Sequence, residues 1–125
     1  MTVDIVREYC LSKIGSSEDF PFDQDTLVFK VLGKMFALVP LENWERGKAS
    51  INLKCDPEYA IELRERYNSI EPGFHMSKVH WNSVYLYRGE IDRDFLFELI
   101  DHSYDKVVEK MTKKDKASLK RMDED

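Results

Sequence analysis

Thr26-Leu27-Val28-Phe29-Lys30-Val31, then Leu32-Gly33-Lys34, then Met35-Phe36-Ala37-Leu38-Val39 is the stretch that decides the fold. Two runs rich in β-branched and aromatic residues flank a short glycine-bearing turn, the pattern of a β-hairpin. Working outward, Ala49 to Lys54 alternates apolar and polar and predicts a third, half-buried strand. His80 to Tyr87 predicts another, closed by Arg88-Gly89-Glu90. Phe74 falls in a loop from Ser69 to Val79 that leaves room for one short strand.

Helices frame these strands. Val6, Tyr9, Cys10 and Ile14 form an apolar stripe over residues 3–14 that Gly15 ends. Asp56-Pro57 reads as an N-cap followed by proline at the first helical position, opening a helix to about Tyr67. Asp92 caps a last long helix whose stripe runs through Leu96, Leu99, Ile100, Tyr104, Val107, Val108 and Met111. The order α-β-β-β-α-(β)-β-α, with short turns between strands, predicts an α+β fold: two layers, an antiparallel sheet packed against helices. The expected domain spans residues 1–112, and 113–125 form a charged, solvated C-terminal tail.

The chain has 125 residues with 19 Lys and Arg, 24 Asp and Glu, and a net charge of −5. Taken whole, that balance argues against a polyanionic partner. Residues 26–41, 46–55 and 72–89, however, contain no acid. Their bases are Lys30, Lys34, Arg46, Lys48, Lys54, Lys78 and Arg88, so the acids all fall in the other segments. Strand alternation puts Leu27, Phe29, Val31, Ile51, Leu53 and Val84 on an inner face. It puts Lys30, Lys54, Trp81, Ser83, Tyr85 and Tyr87 on the outer one. Aromatics among lysines and small polar residues have the composition of a nucleic-acid stacking platform, although antiparallel sheets also leave one face polar for purely structural reasons.

No chemistry-bearing motif competes with that reading. His75, His80 and His102 with Cys55 match no zinc spacing, and Asp19, Asp23 and Asp25 lack the glycine and terminal Glu of a calcium loop. Nucleophile elbows, phosphate loops and dinucleotide fingerprints are missing, so no enzyme, metal or cofactor is expected. Cys10 and Cys55 read as packed free thiols. An enzyme would need His80, His102 or Cys55 to converge in one pocket. The charged N-terminus carries no signal-peptide pattern, which predicts a soluble cytoplasmic chain with no membrane partner.

Several strings resemble the bacterial YjbR/MmcQ-like family: Glu18-Asp19-Phe20-Pro21-Phe22, Lys34-Met35-Phe36-Ala37-Leu38, Leu53-Lys54-Cys55-Asp56-Pro57-Glu58 and Pro72-Gly73-Phe74-His75-Met76. Lys78-Val79-His80-Trp81-Asn82 and Asp101-His102-Ser103-Tyr104 are the most distinctive. The likeness runs from about residue 4 to 112. Ser77 departs from it, standing where the family pattern has Asn. The resemblance implies a compact α+β domain and a double-wing arrangement suggested for DNA binding, with wings around Gly33-Lys34 and Arg46-Gly47-Lys48. The expected partner is therefore DNA, bound by a monomer. The expected contact set is Lys30, Lys34, Arg46, Lys48, Lys54, His75, Lys78, His80, Trp81, Asn82 and Arg88. The alternative is a non-catalytic module holding a protein or small ligand on the aromatic sheet face or in a helix groove.

Overall fold

Apolar alternation in the hairpin segment is realised as two paired strands at the heart of a computed structural model describing residues 1–125. The elements are α1 (Val3–Leu11), β1 (Ser16–Asp19), β2 (Thr26–Val31), β3 (Lys34–Pro40), α2 (Leu41–Glu45), β4 (Ser50–Lys54), α3 (Pro57–Arg66), β5 (Ile70–Pro72), β6 (Trp81–Tyr85), α4 (Arg93–Glu109) and α5 (Lys113–Glu124). A turn of 3-10 helix covers Leu86–Arg88. The six strands form one open sheet, β1-β2-β3-β4-β6-β5, with every neighbouring pair antiparallel. The fold is α+β, as the order of sequence patterns predicts.

Residues expected on the inner face are there. Leu27, Phe29 and Val31 of β2, Ile51 and Leu53 of β4 and Val84 of β6 join Val6 and Cys10 of α1, Ala60 and Leu63 of α3, and Leu96, Leu99, Ile100 and Val107 of α4 in one core. The helices therefore pack on one side of the sheet. Between β2 and β3, Leu32 and Gly33 both take positive φ, 47° and 82°. This is the two-residue turn whose twist suits a hairpin, and glycine carries its second position without strain.

The outer face differs from the expected wet surface. Val28, Leu38 and Trp81 form a second apolar cluster there, with Met35 and Met76 packed against it. Met76 arrives on the 73–80 loop, which folds back over the sheet: the Phe74 amide donates to Ser83 Oγ at 2.9 Å. Other departures are local. Ser16–Asp19 pairs with β2 as an edge strand, and the predicted strand over 80–87 ends at Tyr85. Tyr87 thus leaves the sheet face. The tail is also ordered beyond expectation: Thr112 caps α5, and Leu119 of α5 is buried. Gly15 takes φ +73°, a conformation L side chains rarely adopt, and a Cβ there would also displace Leu119 Cδ2, 2.6 Å away.

Four consecutive residues of α4 tie the layers together. Asp101 accepts a 2.5 Å hydrogen bond from Tyr9 of α1 and pairs with Lys13. His102 Nε2 accepts from the Asp56 amide at 3.1 Å. Tyr104 donates to the Ile14 carbonyl at 2.6 Å. Ser103 is buried and enters the sheet itself. The β3–β4 ladder pairs Ala37 with Leu53 and Leu38 with Asn52, and its next pair would be Phe36 with Lys54. Ser103 Oγ stands between them, donating to the Phe36 carbonyl at 2.5 Å and accepting from the Lys54 amide at 2.9 Å.

Ser103→Ala strips a buried carbonyl and a partly buried amide of their partner at once. Leaving such groups unpaired costs about 1–3 kcal/mol, to be read from urea unfolding. A loss below about 0.5 kcal/mol, the range of neutral surface changes, would contradict this role.

His102 carries a pH dependence. Burial, then Lys106, holds its pKa below the ordinary 6.5, against opposing pulls from Asp56, Asp105 and Glu109. Just below that value the unfolded chain binds more protons than the folded one, so stability falls as pH drops. Asp23 and Glu90, whose pKa values are also lowered, act in a more acidic window, below 3.8 and 4.5. His102→Gln keeps an acceptor for the Asp56 amide and is expected to flatten the stability profile between pH 7 and about 5. An unchanged slope in unfolding experiments would contradict the assignment.

Candidate functional site

The three acid-free segments become β2, β3, β4 and β6 with the 73–80 loop, the middle of the sheet. Because successive strands run in opposite directions, their bases are divided between its two ends. Lys34 starts β3 and Lys54 ends β4, while Lys78 and His80 precede β6, all toward one end. Arg46 and Lys48 precede β4, and Arg88 follows β6, at the other. The expected wings around Gly33-Lys34 and Arg46-Gly47-Lys48 therefore flank opposite ends of the seven-residue β3, roughly 20 Å apart at strand rise.

Acids from the flanking segments neutralise part of the set. Lys30 pairs with Asp19 at 3.2 Å, Arg46 with Glu42 at 2.5 Å and Arg88 with Glu71 at 2.7 Å. Arg88 also lies 4.3 Å over the Tyr85 ring, and Lys48 lies 5.9 Å over that of Tyr87. Lys78 donates to the Gly73 carbonyl at 3.2 Å. His75 has φ +58° and lies against Phe74, with ring centroids 4.0 Å apart.

Two expected contact residues are inside the protein, which corrects their proposed role at a surface. Trp81, 7% exposed, is a member of the outer-face cluster. Asn82, 2% exposed, accepts from Arg64 Nε at 2.6 Å and donates to the Ala60 carbonyl at 3.4 Å. Arg64 of α3 also donates to the carbonyls of Lys78 and Trp81. The Lys78–Asn82 string thus anchors a loop to a helix, a role that side-chain type alone does not reveal.

A basic groove of about 480 Å³ lies where β4 runs out. Lys54, His80, Lys106 and Lys110 line it, with Asp56 and Glu109. Lys106 is taken up by Glu109 at 3.0 Å. Lys54 is half-buried, and its pKa is held below 10.5 by burial, then by the nearby charges of Lys110 and Lys34. None of Lys34, Lys54 and Lys110 takes part in an ion pair. Lys110 lies in an acid-containing helical segment, and only its approach to β4 joins it to the group.

Cys55, His80 and His102 do not all line one concavity. Burial pushes both thiols up to about 12, Cys10 in the core and Cys55 beside a void of only about 10 Å³ that His102 also lines. His80 lines the basic groove, which Cys55 also borders and His102 does not. No group of three or more His, Cys, Asp or Glu side chains is placed to hold a metal ion. None of the helices is long and apolar enough to cross a membrane.

Another concavity is a cleft of about 480 Å³ on the outer face, lined by residues of β2, β3, β4 and β6, by Asn43 of α2 and by the loops before β2 and before β6. The outer-face cleft is not covered by α4, which packs on the core side and walls the basic groove through Lys106 and Glu109.

A six-stranded antiparallel sheet with its helices on one face, a basic end and an open outer face defines an α+β domain of the kind that the sequence strings resemble. The chain belongs to the YjbR family: the YjbR family model matches residues 11–106. It is 40% identical over 101 residues to Uncharacterized protein YbdF of Escherichia coli O157:H7, covering 81% of this chain and 80% of the relative. It is 32% identical over 109 residues to Uncharacterized protein YjbR of Escherichia coli K12, covering 86% and 88%. A Deinococcus radiodurans crystal structure described by domain DUF419 superposes with a TM-score of 0.83 at 40% identity, over 94% of this chain and 87% of that one. A Pseudomonas syringae crystal structure gives 0.67 at 28% identity, over 82% and 96%.

Proposed function

We propose that this protein binds DNA by its phosphates, through the end of the sheet where β3 begins and β4 ends. The carrying observation is the approach of Lys34, Lys54 and Lys110, three cations without a carboxylate partner, close enough to lower the Lys54 pKa. Holding like charges together is unfavourable for folding, and a polyanion relieves it. His80 lines the same groove, and the chain continues into α5 with Lys113, Lys114 and Lys116. The opposite end, with Arg46 and Arg88 ion-paired, has less charge to offer. The resemblance to a family with a suggested DNA-binding arrangement supports the same reading.

Fluorescence anisotropy with a labelled DNA duplex tests it. Binding is expected at low salt, with log K falling against log salt by about 0.9 per phosphate neutralised. The Lys34→Glu, Lys54→Glu double variant is expected to weaken binding by more than about tenfold, with an unchanged circular dichroism spectrum. No binding at low salt, or an equal loss from Lys48→Glu at the far end, would overturn the assignment.

A further inference from the structure

The outer-face cleft differs in chemistry from the basic end. Its floor comes from the strands: Thr26 of β2, Leu38 and Pro40 of β3, Ser50 and Asn52 of β4, Ser83 and Tyr85 of β6. Its rims come from opposite sides of the sheet. Phe22 stands on the β1–β2 connection and Phe74 on the β5–β6 connection, and both rings are exposed, 64% and 63%. Both rings keep exposed apolar surface on loops that flank one concavity, although His75 lies against Phe74.

The floor is wired so that particular donors remain unspent. Ser83, only 2% exposed, accepts from the Phe74 amide and donates to Asn52 Oδ1. That bond fixes which way the Asn52 amide points. Its Nδ2 donates to no protein group, and the hydroxyls of Ser50 and Tyr85 also have no protein partner. The one carboxylate in the lining, Asp23, is already engaged: Oδ1 accepts from the Asp25 and Thr26 amides at 2.9 and 2.6 Å, and Oδ2 from the Thr26 hydroxyl at 3.3 Å. His75, in a left-handed conformation that few non-glycine residues adopt, holds the Phe74 rim beside the floor. Small-molecule sites are commonly of this size and mix apolar walls with a few placed polar groups.

We propose that the cleft binds an uncharged, planar heteroaromatic ring of the nucleobase type. The ring would lie between the Phe22 and Phe74 rims and receive a hydrogen bond from Asn52 Nδ2 on its acceptor edge. Aromatic rims favour a flat π-system, since rings stack on aromatic side chains. The amide and hydroxyl floor rewards a hydrogen-bonding edge over a plain hydrocarbon, and the one carboxylate in the lining, Asp23, repels an anion while its oxygens already accept from Asp25 and Thr26. A free nucleoside and an unpaired base of a single strand present the same chemistry. The site stands apart from the basic groove and does not rest on duplex binding there.

The test is a titration of the isotope-labelled protein with adenosine, guanosine, cytidine and thymidine, and with a short single-stranded oligonucleotide. It is followed through the Asn52 side-chain amide and the Phe74 and His75 backbone signals, with indole as an apolar control. At least one nucleoside or the oligonucleotide is expected to move these signals saturably, with a Kd below about 1 mM. Binding of the nucleoside marks a small-molecule site, and binding of the strand alone marks a pocket for an unpaired base; either supports the proposal. Asn52→Asp retains an oxygen to accept from Ser83 but replaces the donor, and is expected to weaken binding about tenfold. Phe74→Ala is expected to weaken it likewise while leaving the spectrum otherwise dispersed. No saturable shift with any probe, equal binding of indole, or full binding by Asn52→Asp would overturn it.

Discussion

The hydroxyl of Ser103 occupies the seam between β3 and β4, and most of the architecture follows from that placement. Where Phe36 and Lys54 would continue the ladder, a helix side chain supplies both missing partners. Backbone groups inside a sheet must be paired, so α4 becomes part of the sheet's own hydrogen bonding as well as its apolar cover. Asp101, His102 and Tyr104 then have fixed directions, and each meets a different segment: α1, the start of α3, and the α1–β1 connection. The Asp101-His102-Ser103-Tyr104 string is a clasp between layers.

Fixing the helices to one face leaves the other to be finished by loops. Val28, Leu38 and Trp81 make that face partly apolar, and the 73–80 loop covers them with Met76. Arg64 holds the end of that loop through three acceptors, two of them backbone carbonyls. What remains uncovered is a polar-floored cleft between exposed phenylalanines, and at the sheet's end a group of lysines. The two surfaces differ in chemistry, one polar-floored between aromatic rims and the other lined by lysines.

The parts of the fold written in local patterns were legible from sequence. The hairpin, the Asp56-Pro57 helix start and the long stripe of α4 each carry a period or a cap that needs no knowledge of neighbours. Ser16-Ser17-Glu18-Asp19 carries none, because an edge strand with half-exposed polar residues has no apolar alternation to show. In α5, Leu119 alone is buried, too little to separate a docked helix from a charged tail. The site was legible as composition but not as position. Seven bases free of nearby acids could be counted along the chain, yet strand reversal sends them to opposite ends, and three find acids from other segments. Trp81 and Asn82 have the chemistry of base contacts, and only the long-range partners Val28 and Leu38 of the one and Arg64 of the other reveal them as interior. Lys110 needed the approach of α4 to β4 to become part of the basic group.

Native-state hydrogen exchange at the Lys54 amide tests the dependence on Ser103 most directly. If the hydroxyl completes the ladder, this amide opens only with the whole domain, with the same exchange free energy as the central amides of Ile51 and Val84. Exchange through a local opening of much lower free energy, with those core amides still protected, would show that the seam is held by something other than α4.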